Sequence, residues 1–266
     1  MSDDPLVLER PGTRLVVDPR QGARLASVAV DGMELLVTEG YGPVMWGSYP
    51  MAPWAGRIRD ARFSFRGRSV ELRPNDPPHA LHGTVFDRPW SVTGPDSLTI
   101  DLGPGWPFAG RVTQSFALRE DGLTVRLRLE AEDAMPAVVG WHPWFRRTLQ
   151  VGGTASAPGR LDLPAATMYV RDEGGIADGR LMSPTPGPWD DCFTDLAGPP
   201  VLTWPDVLAV ELTSSCDHWV VYDRLDHAIC VEPQSGPPDF VRIRPAVVEA
   251  GDALEAWMSW RWRRLG

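Results

Sequence analysis

Apolar and polar residues alternate with a period of two along most of the chain, and that period predicts strands. In "LTVRLRLEAE" (123–132), Leu123, Val125, Leu127 and Leu129 share one face, with Thr and Arg on the other. The preceding "RVTQSFAL" (111–118) and "REDG" (119–122) make this a β-hairpin turning at Asp121-Gly122. "RLASVAVDGMELLV" (24–37) reads the same way around Asp31-Gly32, and "ARFSFRGRSVEL" (61–72) around Gly67. Further strands are predicted at 97–102, 241–245 and 255–262, and a buried one at 227–231, "HAICV". Residues 151–200, rich in Gly, Pro and Ala, read as long loops with a few short strands. No long amphipathic helix is visible. Short strands with turn signals between them predict an all-β protein, a large antiparallel sandwich forming one domain over residues 1–266.

Composition narrows the function. The apolar fraction, 43%, is ample for a core. A net charge of −9 argues against nucleic acid or an anionic membrane surface as partner. All 26 basic residues are Arg, so lysine Schiff-base catalysis and a lysine-dependent phosphate loop are excluded. Cys192, Cys216 and Cys230 are odd in number and fit no zinc spacing, which predicts no disulfide framework and a reducing compartment. The polar start "MSDDPLVLERPG" lacks a signal-peptide core, and no apolar run reaches spanning length, so a cytoplasmic location is expected.

Titratable groups set among Pro, Gly and aromatic residues mark the candidate chemistry. Of five histidines, none forms an HExxH or HxH pair, and no metal site is predicted. In "GWHPWF", Pro143 restricts His142 to extended backbone between bulky neighbours. In "HALHG", Gly83 after His82 permits a close approach. Each stretch reads either as a pocket wall or as a turn with a hydrogen-bonded His. Glu232 ends the buried "HAICV" strand before a Pro-rich turn. It reads as a general base raised by desolvation or as an anchor for the following loop. Arg57 in "PWAGRIRD" and the adjacent Asp190 and Asp191 in "PWDDCF" are candidate binding groups, and Arg59 reads as a surface residue. Six tryptophans (46, 54, 90, 141, 144 and 189) lie in or near these stretches, and an aromatic platform rimmed by charged groups suits a sugar.

Five of the stretches, in order, resemble segments of the aldose 1-epimerase (galactose mutarotase) family. They are "PWAGRI", "HALHG", "GWHPWF", "DDCF" and "CVEPQSGPPD", within a similarity spanning roughly residues 45–260. The resemblance implies a galactose mutarotase-like supersandwich and cofactor-free interconversion of the α and β anomers of a free aldose. It implies Glu232 as the base on the anomeric hydroxyl, His142 as the acid at the ring oxygen, and His82 assisting there. Arg57, Asp190, Trp144 and Gln234 would bind the sugar. Gly56 stands where the family has Asn, and Trp144 where Tyr is commoner, which leaves the proton-transfer pair intact and the identity of the sugar open. A sugar is the expected partner, for a monomer or homodimer. Three other readings stand beside it. A hexose-6-phosphate mutarotase would use Arg59, Arg146 and Arg147 for the phosphate. A non-catalytic sugar-binding protein has no need of both Glu232 and His142. A glycoside hydrolase would pair Glu232 with Asp190 or Asp239.

Overall fold

The structure, a computed structural model, describes residues 4–266, so Met1–Asp3 of the acidic start lie outside the described residues. Two antiparallel sheets dominate it, one of eleven strands and one of eight. The centre of the larger sheet runs, in spatial order, Ser48–Met51, Gly140–Arg146, Ala228–Gln234, His218–Tyr222, Asp190–Leu196 and Ala165–Arg171. The smaller sheet is built on Gly110–Leu118, Gly122–Ala131 and Ala253–Arg264.

The hairpins form where the alternation puts them. Gly110–Leu118 pairs with Gly122–Ala131 from Gly110 opposite Ala131 to Leu118 opposite Leu123. Turns join Arg24–Val30 to Met33–Glu34 and Arg62–Phe65 to Arg68–Glu71 at the expected places. Leu123, Val125, Leu127 and Leu129 are all buried, while Arg126, Arg128 and Glu130 face solvent. Burying each such side chain stabilises the fold by about 2 kcal/mol.

Both sheets contribute to one apolar core. Phe145 of the larger sheet packs on Trp260 of the smaller at 4.7 Å between ring centroids. Trp141 Nε1 donates to Gln114 Oε1 across the same layer (2.9 Å), and Gln114 Nε2 donates to the Ala23 carbonyl (2.7 Å). The odd-numbered residues of Gly140–Arg146 therefore face the core. The even-numbered ones face the outer side, yet nearly all seven residues are buried. Something covers the outer face, and that cover is the site described below.

Three expectations are corrected. Residues 241–245 do not form a strand: Phe240–Ile243 is a single helical turn. It wraps on Asp239, whose carbonyl accepts from the Arg242 and Ile243 amides and whose carboxylate binds Arg242. Residues 151–200 hold more strand than expected: Ala165–Arg171, Ala177–Met182 and Asp190–Leu196 extend the larger sheet to its edge. Ala177–Met182 is exposed at all but its first residue, so no apolar alternation marks it in sequence. Glu232 is not at a strand end, because its strand continues through Gln234.

Candidate active site

Register across the larger sheet assembles the site. Gly140 lies opposite Gln234 and Trp144 opposite Cys230, which sets His142, midway, against Glu232. Across the sheet, Tyr49 lies opposite His142, Val220 opposite Glu232, and Cys192 opposite Val220. A second row, one pleat along, holds Trp144, Cys230, Tyr222 and Asp190. All residues of these two rows but the buried Cys230 line a cavity of about 360 Å³. Its walls include Arg57, Asp76 and His82 on one side and Tyr169, Arg171 and Ile176 on the other.

The backbone ladder between Gly140–Arg146 and Ala228–Gln234 is interrupted between those paired ends. Pro143 and Pro233 each lack an N–H, so each removes a ladder donor from this stretch. The side chains link the strands in its place: His142 Nε2 and Glu232 Oε1 are 3.1 Å apart, both groups buried. Gln234 Nε2 donates to the other Glu232 oxygen at 3.3 Å. The His142 ring is sandwiched between Tyr49 (4.9 Å, 25° between planes) and Trp144 (5.1 Å, 14°). His82 meets it edge-on at 5.2 Å.

His82 is delivered from another element. Arg57–Ile58 pairs with Ala80–Leu81, and the chain then turns through His82 at φ 61°. That left-handed backbone is uncommon for a residue with a Cβ and is held by the His82 amide donating to the Gly56 carbonyl (3.0 Å). Gly83 follows at φ 86°, where a Cβ would sit 2.0 Å from the Ala52 carbonyl oxygen, so only glycine fits. Gly56 is also left-handed, at φ 68°. A Cβ there would sit 2.9 Å from Pro238 Cβ, so an asparagine at this position would need Pro238 to shift.

Burial dominates the electrostatics. Desolvation, and then the nearby Asp190, push the Glu232 carboxyl well above its usual range. Desolvation lowers His142 to about 3 and takes His82 well below its usual value. The cause at His142 is its place between two aromatic rings, where an imidazolium loses hydration. In the closed pair the favoured form carries one proton, on Glu232, shared with a neutral imidazole.

The other predicted residues divide clearly. Arg57 lines the cavity, its Nε 2.6 Å from Asp76 Oδ2. Asp190 and Asp191 both line it, but they differ. Asp190 Oδ2 faces Arg171 Nη2 at 3.2 Å, and burial raises its carboxyl. Asp191 Oδ2 accepts the Asp190 amide. Trp144 and Gln234 line the cavity as expected. The other five tryptophans do not. Trp46 lies against Arg24, Trp54 against Trp106 and Trp141 in the core, while Trp90 and Trp189 donate to the Val85 and Thr185 carbonyls. The aromatic walls are instead Trp144 with Tyr49, Tyr169 and Tyr222.

The phosphate cluster expected from three arginines does not assemble. Arg146 donates to Leu36 and Thr38, Arg147 to three carbonyls, and Arg59 pairs with Asp172 and Asp239. Asp239, buried on Arg59 and Arg242, does not line the cavity, so it forms no pair with Glu232 there. Arg171 was missed in the sequence because "TMYVRDEGG" falls in the Gly-rich region. Its own signal is the alternation Thr167, Tyr169, Arg171. His218 is structural, held by Asp217 (2.6 Å) and Tyr169 (3.1 Å).

Comparison with known proteins follows the same line. The sequence profile described as aldose 1-epimerase matches residues 4–260. An uncharacterised protein of Escherichia coli K12, YphB, is 33% identical over 118 residues, 42% of this chain; the match spans about two fifths (41%) of that relative's length. Among solved structures, a GalM/aldose epimerase homologue from C. elegans superimposes with a TM-score of 0.83 at 15% identity, covering 100% of both chains. Galactose 1-epimerase from Lactobacillus acidophilus NCFM superimposes with a TM-score of 0.80 at 15% identity, covering 98% of this chain and 94% of that one. At such identities the structures speak for the fold alone. The profile match, spanning nearly all of the chain, supplies the family: this chain belongs to the aldose 1-epimerases.

Proposed function

We propose that this protein is a cofactor-independent isomerase that interconverts the α and β anomers of a free aldose. The observation that carries the reading is the buried His142–Glu232 contact of 3.1 Å, facing an aromatic-walled cavity of about 360 Å³. Ring opening needs one proton removed from the anomeric hydroxyl and one delivered to the ring oxygen.

The pair can carry both. In the resting site one proton sits on Glu232 and His142 is neutral. An entering sugar brings hydroxyls that hydrogen-bond to the carboxylate and favour its charge. The proton passes to His142 Nε2. Glu232 then takes the proton from O1–H, the C1–O5 bond breaks, and the imidazolium protonates O5. The product is the open-chain aldehyde, facing a protonated Glu232 and a neutral His142, which is the form favoured without substrate. Rotation about C1–C2 and the reverse transfers close the ring on the other face. Every proton is returned, so no external acid, base or electron is needed.

His82 assists at the ring oxygen or the adjacent hydroxyl, and Gln234 orients the Glu232 carboxylate while meeting a hydroxyl itself. Trp144 stacks on the sugar's C–H face. Arg57 and Asp190 hold hydroxyls. Each is balanced by a partner, Asp76 and Arg171, and that neutrality favours a free sugar over a phosphorylated one. On this reading residues 1–266 act as one unit, a cytoplasmic monomer or homodimer.

Polarimetry on freshly dissolved α-D-glucose, α-D-galactose and a panel of other aldoses and hexose 6-phosphates tests the reading. Wild type should accelerate the drift for at least one free sugar. Glu232→Gln should lose about 10²–10⁴-fold in rate while still quenching tryptophan fluorescence on binding that sugar. Near-wild-type turnover by the variant would remove Glu232 from the mechanism.

A further inference from the structure

The sheet register places a thiol beside the acid–base pair. Cys230 shares the pocket-facing side of its strand with Glu232 and Gln234, two residues from the carboxylate. It lies between Trp144 and Tyr222 in the adjacent strands, whose rings meet edge to face at 5.9 Å. It is fully buried, and its thiol is raised by desolvation, so it carries no charge in the resting protein. The ligand atoms of His142, Cys230 and Glu232 all lie within 4.8 Å of one another, and all three residues are buried. The sequence shows none of this: His142 and Cys230 are far apart along the chain and fit no metal spacing.

We propose that His142, Cys230 and Glu232 form a binding site for a thiophilic divalent cation, Zn²⁺ or Cd²⁺, that excludes sugar from the acid–base pair. One imidazole, one thiolate and one carboxylate make a mixed donor set suited to a borderline-soft ion. Tetrahedral zinc bonds of about 2.0–2.3 Å put ligand atoms about 3.5 Å apart. Ligand atoms up to 4.8 Å apart must therefore close by up to about 1.3 Å, and Cd²⁺, being larger, needs less. His142 and Glu232 line the cavity, which gives an ion its way to them, and Cys230 is buried beside the pair. Binding displaces the thiol proton and the proton shared by the pair, so the bound ion removes the proton that the reaction moves. The exclusion rests on the function proposed above; the binding does not.

The test separates the two. The whole protein is titrated with Cd²⁺ and followed by the thiolate-to-cadmium absorption band. Wild type and Cys192→Ala should each take one equivalent with the band, and Cys230→Ser and Cys230→Ala should show none. No band in wild type, or a band surviving both Cys230 variants, overturns the site whatever the enzyme's activity. With an active sugar in hand, Cd²⁺ should abolish wild-type mutarotation, and chelation should restore it. Measured against its own uninhibited rate, each folded Cys230 variant should need about tenfold more Cd²⁺ or higher for half-inhibition. Equal sensitivity of wild type and the Cys230 variants would overturn the exclusion. A protein that binds Cd²⁺ through Cys230 but turns over no sugar keeps the site and refutes the function.

Discussion

The mechanism above begins from an imidazole that the fold keeps neutral, and that state has a measurable consequence for stability. Removing the group by His142→Asn is the perturbation. In the unfolded chain His142 titrates near 6.5; in the fold burial lowers it to about 3. Between those values the unfolded state binds a proton that the folded state does not, so wild-type stability falls as the pH falls. At pH 4 the span below 6.5 is about 2.5 units. At about 1.36 kcal/mol per unit this is about 3 kcal/mol. The figure hardly changes if the folded value is nearer 4, because pH 4 then only reaches the end of the window. Glu232 and His82 also titrate abnormally, but desolvation is the leading cause for each, and they remain in both proteins, so they largely cancel in the difference. The assay is urea unfolding of wild type and variant at pH 7 and pH 4. The variant is expected to be less stable at pH 7, having lost the stacked ring between Tyr49 and Trp144. Its further loss on acidification should be smaller than that of wild type by about 3 kcal/mol. Equal losses, within about 1 kcal/mol, would mean that His142 is not held neutral, and the resting protonation on which the proton transfer is built would be wrong.

Three further outcomes are expected. Arg171→Met frees Asp190 from its partner, and KM for the active sugar should rise about tenfold with kcat changed far less; an unchanged KM would remove Asp190 from sugar binding. Gly83→Ala drives a Cβ against the Ala52 carbonyl at a left-handed position and should destabilise the fold by about 3 kcal/mol or more, read as a lowered thermal midpoint. Gln114→Leu leaves the Trp141 indole N–H and the Ala23 carbonyl without their partner in the core. It should cost about 2–4 kcal/mol in urea unfolding, with the mutarotation rate per folded molecule little altered.

The hairpins were legible because alternation along a strand is a local property: a side chain's face follows from its own backbone and the residues two away. The same locality made "GWHPWF", "HALHG" and "CVEPQSGPPD" readable as unusual, and their order carried the family. The strands at 165–196 were less legible. Apolar alternation reports burial, and edge strands such as Ala177–Met182 are not buried. The tryptophans show the same limit from the other side. Composition counts them, but only the path of each strand decides which ones turn to the core, and of the six only Trp144 lines the cavity.

What the sequence by itself determined is therefore the β architecture, the residue types at the site and the family. Only the tertiary structure decided that His142 meets a carboxylate ninety residues further along the chain. That meeting depends on strand order and register between distant segments, and on two prolines that open the ladder where the side chains meet. It also decided that Arg171 holds Asp190, that Cys230 lies beside the pair, and that burial disfavours the charged form of both the imidazole and the carboxyl. Hydration is lost to neighbours that arrive from elsewhere in the chain, and so a protonation state belongs to the packed structure, not to the motif that supplies the residue.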